Sequence, residues 1–317
     1  MRLPRFLDRF LRGRKQLALP APSPQPAPQW PPPPLEPRTD ESLRPPLAAP
    51  APPPWLRPQS HIIVFANEKG GVGKSTAAFH TCIALCNAGE TVAALDVDLR
   101  QLTLDRALSA RQESAREYGV TLTGPEPIIL VQSTEAELET KVRMAQTRCG
   151  FVVIDVGGHD SPIARRAIAI ADTIVTPVND SFIDLDMLGR IDPRTGELKT
   201  LGAFARLVAH LREPGVAQRP RPLDWVVMQN RQRSFVTRNE RKVRDALEKT
   251  APVAGFRLVP GLSERVAYRE LFPLGLTLFD LPQIPELGRA RPSAKAEIGR
   301  MIEALDLPTK ARKDAAP

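Results

Sequence analysis

Lys69-Gly70-Gly71-Val72-Gly73-Lys74-Ser75-Thr76 follows directly on an apolar run, Ile62-Ile63-Val64-Phe65-Ala66. A short uncharged run rich in β-branched residues reads as a strand buried on both faces. The glycine-rich stretch behind it is a phosphate cradle. Glycines let successive backbone N–H groups turn inward on an anion, Lys74 can reach the β- and γ-phosphates, and the Ser75 hydroxyl can hold Mg²⁺. Gly70, Gly71, Val72, Gly73, Lys74, Ser75 and Thr76 are therefore the candidate nucleotide-binding residues. The pattern G-x-x-x-x-G-K-[ST] is met except at its first position, where Glu68 stands, and a second lysine, Lys69, sits at the front of the loop.

Working outward, composition divides the chain. Of 34 prolines in 317 residues, 18 precede His61. Residues 1–59 cannot bury enough apolar surface to offset chain entropy, and a disordered Pro-rich arm is expected there. Residues 60–310 suffice for one α/β core, with a short flexible tail over 311–317. The formal net charge is +8, of which the arm holds +5. The remainder is close to neutral, so any nucleic-acid site must be a local patch. The arm starts with Leu3, Phe6, Leu7, Phe10 and Leu11 at helical spacing among Arg2, Arg5, Arg9, Arg12, Arg14 and Lys15. That pattern suits a weak membrane-surface helix over residues 1–15. It equally suits a solvated basic terminus or a short helix docking on a partner.

No stretch approaches the length of a transmembrane span, and charges interrupt the apolar segment a signal peptide needs. The three cysteines, Cys82, Cys86 and Cys149, read as reduced core residues of a cytoplasmic protein. Cys82 and Cys86 lie four apart near His80, but no second ligand pair shows zinc-like spacing.

Ser75 to Asn87 reads as a helix closed by Gly89. Strands are expected at Thr91–Asp98, Ile128–Gln132, Phe151–Val156, Thr173–Val178, Trp225–Gln229 and Phe256–Val259, separated by helical patterns. This alternation predicts a doubly wound, mostly parallel α/β sheet. The proline-bearing stretch Ile191–Leu223, with a helix around Leu201–Leu211, reads as an insertion.

In such folds ligands sit at the carboxyl ends of the strands. Asp96 and Asp98, Asp155, and Asn230 all fall at strand ends. Asp155, behind Phe151-Val152-Val153-Ile154, has the form of a Walker B carboxylate, and Ser75, Asp96 and Asp155 are the candidate metal residues. Phosphoryl transfer also needs a group to orient water, for which Asp98 is best placed. It needs a further cation for the transition-state charge, and Lys69 fits. Lys69, Lys74 and Asp98 are thus the candidate catalytic set.

The Lys69-Gly70-Gly71 form of the loop resembles the deviant Walker A box of the ParA/MinD ATPases. Five stretches bring the resemblance closer to the MipZ division-plane positioning group within that family: Asn67-Glu68-Lys69-Gly70-Gly71, Asp96 to Gln101, Asn179 to Gly189, Asp224-Trp225-Val226-Val227, and Tyr268-Arg269-Glu270-Leu271-Phe272-Pro273. The resemblance implies ATP and Mg²⁺ as ligands, and an ATP-gated homodimer in which Lys69 reaches across to the partner's nucleotide. It further implies hydrolysis aided by Asp98, and Asn230 at the adenine. Implied partners are non-specific DNA, a ParB-like protein and FtsZ, whose polymerisation the group inhibits. Implied localisation is cytoplasmic, nucleoid-associated and polar.

Arg238, Arg241 and Lys242 fall at i, i+3 and i+4, with Arg231 and Arg244 nearby, and Arg265 and Arg269 are again four apart. One helix face therefore presents several cations. These five, Arg238, Arg241, Lys242, Arg265 and Arg269, are the DNA candidates. The chain departs from the family where relatives usually read Asp-Thr-Pro-Gly and it reads Asp155-Val156-Gly157-Gly158. Other readings are a partition ATPase for plasmid, chromosome or cargo, a P-loop ligase or iron–sulfur reductase, and a nucleotide-locked module with negligible turnover.

Overall fold

The computed structural model describes residues 60–214, 216, 221–230, 238–263, 265–289 and 292–310. The expected arm over 1–59 with its amphipathic start, Arg231, and the tail over 311–317 lie outside the described residues.

From the first described residues onward, strands and helices alternate: β1 (His61–Phe65), α1 (Lys74–Asn87), β2 (Val92–Asp96), α2 (Thr103–Tyr118), β3 (Glu126–Ile128), α3 (Glu135–Gln146), β4 (Phe151–Asp155), α4 (Pro162–Ile170) and β5 (Thr173–Val178). A hairpin of β6 (Gly189–Ile191) and β7 (Leu198–Leu201) follows, then α5 (Ala203–Leu211), β8 (Asp224–Gln229), α6 (Arg238–Ala254), β9 (Arg257–Pro260), α7 (Val266–Leu271) and α8 (Pro292–Ala304).

Seven strands form one sheet in the order β3-β2-β4-β1-β5-β8-β9, and every pairing in it is parallel. Successive side chains on β1 go to opposite faces. Ile62 and Val64 join a core under α3, α4, α5 and α6, while Ile63 and Phe65 join one under α1, α2, α7 and α8. Coverage on both faces explains why the central strands are mostly apolar, with β1, β2, β4 and β5 buried at every position.

Register decides where the chemistry lies. Asp155 of β4 stands opposite both Phe65 of β1 and Asp96 of β2. Val178 of β5 stands opposite Gln229 of β8, so Asn230 follows at the same rim. Parallel strands end together, and four separate stretches of sequence thereby meet where β1 opens into the glycine loop.

Two expectations shift. The apolar run predicts a third strand at Ile128–Gln132, and the structure has it at Glu126–Ile128. Its partner β2 pairs Leu95 with Ile128, and at Asp96 the strand ends, so the apolar residues that follow have no neighbour to bond. Ile129 and Val131 are consequently exposed. Pro127 is tolerated because β3 is an edge strand. The stretch beyond Ile191 does hold the expected helix, and it also holds a hairpin closed by a sharp approach. A side chain at Gly202 would strike the Met187 carbonyl.

Candidate nucleotide site

The loop after β1 is built on left-handed glycines. Gly71 has φ +75° and Gly73 φ +90°, a region L-residues other than glycine enter at a cost. Gly73 is constrained twice, because a Cβ there would fall on the Asn230 side-chain amide. It occupies the cap position of α1, which has no side-chain cap, so the first-turn amides remain open toward the loop. Asn230 clamps the loop from β8. Its Nδ2 donates to the Val72 carbonyl at 2.9 Å and its Oδ1 accepts from the Leu262 amide at 3.0 Å.

Lys74 is buried and donates from Nζ to the Lys69 carbonyl at 3.0 Å, curling across the loop mouth. Burial lowers its pKa, and the nearby Asp155 and Asp98 carboxylates oppose that shift. Asp155 is pushed up to about 8, first by burial and next by Asp96, while the bond from Ser75 pulls the other way. Its Oδ1 is buried with no hydrogen-bond partner. A buried carboxylate oxygen left unpaired beside a serine hydroxyl and a lysine is what a hard cation or its water shell would satisfy. No group of three or more His, Cys, Asp or Glu is arranged to hold a metal among the described residues. Mg²⁺ does not need such a group, since it takes one or two carboxylates and completes its shell with phosphate and water. The residues present therefore fit Mg²⁺ at Ser75 and Asp155.

Asp96 is placed beside them but has both oxygens engaged: Oδ1 accepts from the Asp98 amide and Oδ2 from the Leu104 amide, each at 2.9 Å. It fixes the loop that carries Asp98. Asp98 in turn accepts from the Arg100 and Gln101 amides and sits against Gly157, whose absent Cβ would lie 3.0 Å from the carboxyl group. Lys69 is half exposed, and its ammonium is ion-paired with the buried carboxylate of Asp184, in the turn after β5.

A cavity of about 360 Å³ opens beside the loop, lined among others by Gly73, Thr76, Asn230, Tyr268, Arg269 and Phe272. Its size suits a nucleoside. Arg111 stiffens the segment behind it, pairing bidentately with buried Asp280 and donating to the Gly275 carbonyl.

The DNA candidates divide. Arg238, Arg241 and Lys242 are exposed on α6. Arg265 pairs with Glu297 of α8 at 2.7 Å and, with Arg269, lines the cavity. Sequence reasoning missed Asp184 as the Lys69 partner. It also assigned no role to Asn67, which accepts from the Lys69 amide and donates to the Pro177 carbonyl. No sequence signal links residues more than a hundred positions apart, so only the adjacent motif Asn67-Glu68-Lys69 was readable. The cysteines and His80 form no site: His80 is fully buried against the rings of Phe79 and Tyr268, and burial raises the Cys82 and Cys86 thiols.

A family model described as ATPase MipZ matches residues 61–309. The chain belongs to the MipZ family of ATPases. It therefore sits within the ParA/MinD group of P-loop ATPases. Individual relatives are more distant. The chain is similar to cytosolic Fe-S cluster assembly factor CFD1 of Saccharomyces cerevisiae, 33% identical over 97 residues, or 31% of this chain and 30% of that protein. It is similar to protein ParA of Rhizobium radiobacter, 29% identical over 124 residues, or 39% of this chain and 50% of that one. The chain thus spans half or less of the length of these relatives. Among solved structures, apo McdA of Cyanothece matches with TM-score 0.57 and 20% identity, over 78% of this chain and 99% of that one, a likeness of fold. No helix among the described residues is long and apolar enough to cross a membrane.

Proposed function

We propose that this MipZ-family chain binds ATP with Mg²⁺, closes as a face-to-face homodimer around two nucleotides, binds DNA without sequence preference, and regulates division-site placement by inhibiting FtsZ polymerisation. The observation that carries the nucleotide part is the unpartnered, buried Asp155 Oδ1 between Ser75 and Lys74 at the mouth of the glycine loop.

The loop amides from Gly70 to Thr76 and the Lys74 ammonium hold the phosphates, and the base enters the cavity beside Asn230. Ser75 and Asp155 would hold Mg²⁺, which would supply charge neutralisation. Asp98 orients a water whose oxygen bonds the γ-phosphorus as the bridging bond to the β-phosphate breaks. ADP leaves with the electron pair and the water proton is released to phosphate or solvent. Lys69, at the outer lip, supplies the remaining cation, either to its own nucleotide or across the dimer.

The exposed Arg238, Arg241 and Lys242 on α6 support DNA contact, which two copies would double in a dimer. Family membership supports the roles with FtsZ and a ParB-like protein, and nucleoid-associated or polar placement. The likeness to ParA favours one second reading, a partition ATPase that shares the dimer and DNA binding but does not act on FtsZ. The likeness to CFD1 raises iron–sulfur assembly, which buried Cys82 and half-buried Cys86, whose thiol pKa values burial raises, support poorly.

Sedimentation of FtsZ with this protein, in ATP and in ADP, tests the proposal. Loss of pelleted polymer in ATP alone is expected. Undiminished pelleting in both nucleotides favours the partition reading.

A further inference from the structure

The departure at Val156-Gly157 opens a slot that two side chains enter. A Cβ on Gly157 would lie 3.0 Å from both Cγ and Oδ2 of Asp98 and 3.1 Å from Cε1 of His159. The carboxylate and the imidazole therefore both border the space a side chain at 157 would fill, and any such side chain would press on both. The His159 ring carbon that faces the slot is flanked by both ring nitrogens, so a small rotation aims an N–H at the carboxylate. Behind the slot lies a cavity of about 30 Å³ lined by Asn67, Glu68, Gly157, His159, Asp160 and Arg165, over an apolar floor that includes Phe204. That is room for a water molecule beside Gly157 and His159.

We propose that His159 is a positioning residue for Asp98: across the Gly157 slot, its imidazole N–H orients the Asp98 carboxylate and the water that Asp98 directs. The inference rests on the ATPase reading. His159 itself is exposed and carried by the turn between β4 and α4, where its charged neighbours are Asp160 and, through the Asp160–Arg165 pair, Arg165. That pair holds the turn against α4 by a 2.7 Å bond from Nε, so the imidazole is presented from a fixed base. A rigid proline at 157 would close the slot, and here glycine with histidine takes its place.

Two measurements test it on the full chain. In the nucleotide-free protein, the His159 Cε1–H NMR resonance, assigned by its loss in His159→Gln, is expected to move in Asp98→Asn. An unmoved resonance overturns the convergence. In steady-state ATP hydrolysis, His159→Ala is expected to lower kcat about 10- to 100-fold with KM and ATP affinity unchanged. His159→Gln, which keeps an N–H donor, is expected to restore part of the rate. Wild-type kcat in His159→Ala, or equal loss in Ala and Gln, overturns the proposal. A wild-type protein that binds ATP but never hydrolyses it would instead sink the ATPase reading beneath it.

Discussion

The Lys69 ammonium is ion-paired with Asp184 of its own chain, and that carboxylate is 3% exposed while the lysine is 45% exposed. A lysine proposed to serve a partner's nucleotide is thus held at home by a buried acid. Reaching outward requires giving up this pair, so in the proposed dimer the pair would oppose closure. Asp184→Asn removes the charge but keeps a polar side chain, and it is expected to lower the ATP concentration at which the dimer forms in light scattering. An unchanged midpoint would mean the pair does not restrain Lys69.

The reciprocal change behaves differently. Lys69→Ala leaves Asp184 buried without its cation, and a stability loss of about 1–2 kcal/mol is expected, discounted because the lysine is half exposed. Urea denaturation of nucleotide-free Lys69→Ala and of the double variant with Asp184→Asn checks this. The double variant should regain most of the loss, because no orphaned charge remains.

Asn230 joins the loop to the β9–α7 connection through one donated and one accepted bond. Asn230→Ala leaves the Val72 carbonyl and the Leu262 amide without that side chain, at about 1–3 kcal/mol for each buried group. Nucleotide affinity should fall more steeply than that of Thr76→Ala, because the loop itself relaxes. Titration with a fluorescent ATP analogue compares the two.

His80 gives a pH dependence with a definite sign. Full burial is the main cause holding its pKa down at about 4, below the ordinary 6.5, with Asp280 opposing. Between those values the unfolded chain binds a proton the folded chain refuses, so folding stability is intact above pH 6.5 and is lost as pH falls toward 4. The full span corresponds to about 3 kcal/mol. His80→Phe, which keeps an aromatic ring beside Phe79 and Tyr268, should show a shallower fall of Tm between pH 7 and pH 5 than wild type. Parallel curves would assign the acid sensitivity to other groups.

Local pattern made the central strands and the glycine loop legible. β1, β4 and β5 are buried at every position, and a run this rich in β-branched apolar residues has few other places to go. It failed where tertiary context decides. The third strand ends where β2 stops pairing, not where its own apolar run stops, and the β6–β7 hairpin is too short and exposed to leave a period. The site divides in the same way. Gly73, Lys74 and Ser75 are adjacent in sequence and were readable as one unit. The Asp184 latch on Lys69 and the Glu297 hold on Arg265 are made across the fold by residues 115 and 32 positions away, with no motif to announce them.

That hold on Arg265 gives the test that separates the five DNA candidates. Arg238, Arg241 and Lys242 project from α6 into solvent, whereas Arg265 is engaged by a buried carboxylate beside the cavity next to the glycine loop. Charge reversal at Arg238 and Arg241 should abolish DNA retention while ATP binding and Tm stay at wild-type values, since neither side chain is buried. Arg265→Ala should do the reverse, lowering Tm and ATP affinity by leaving Glu297 unpaired, and weakening DNA binding only through the lost dimer. Salt titration sharpens the contrast. Each phosphate contact removed lowers the slope of log affinity against log salt by about 0.9 for duplex DNA, so α6 variants should flatten it and Arg265→Ala should not. Flattening by Arg265→Ala at saturating ATP would place the DNA surface across the cavity rim instead of α6.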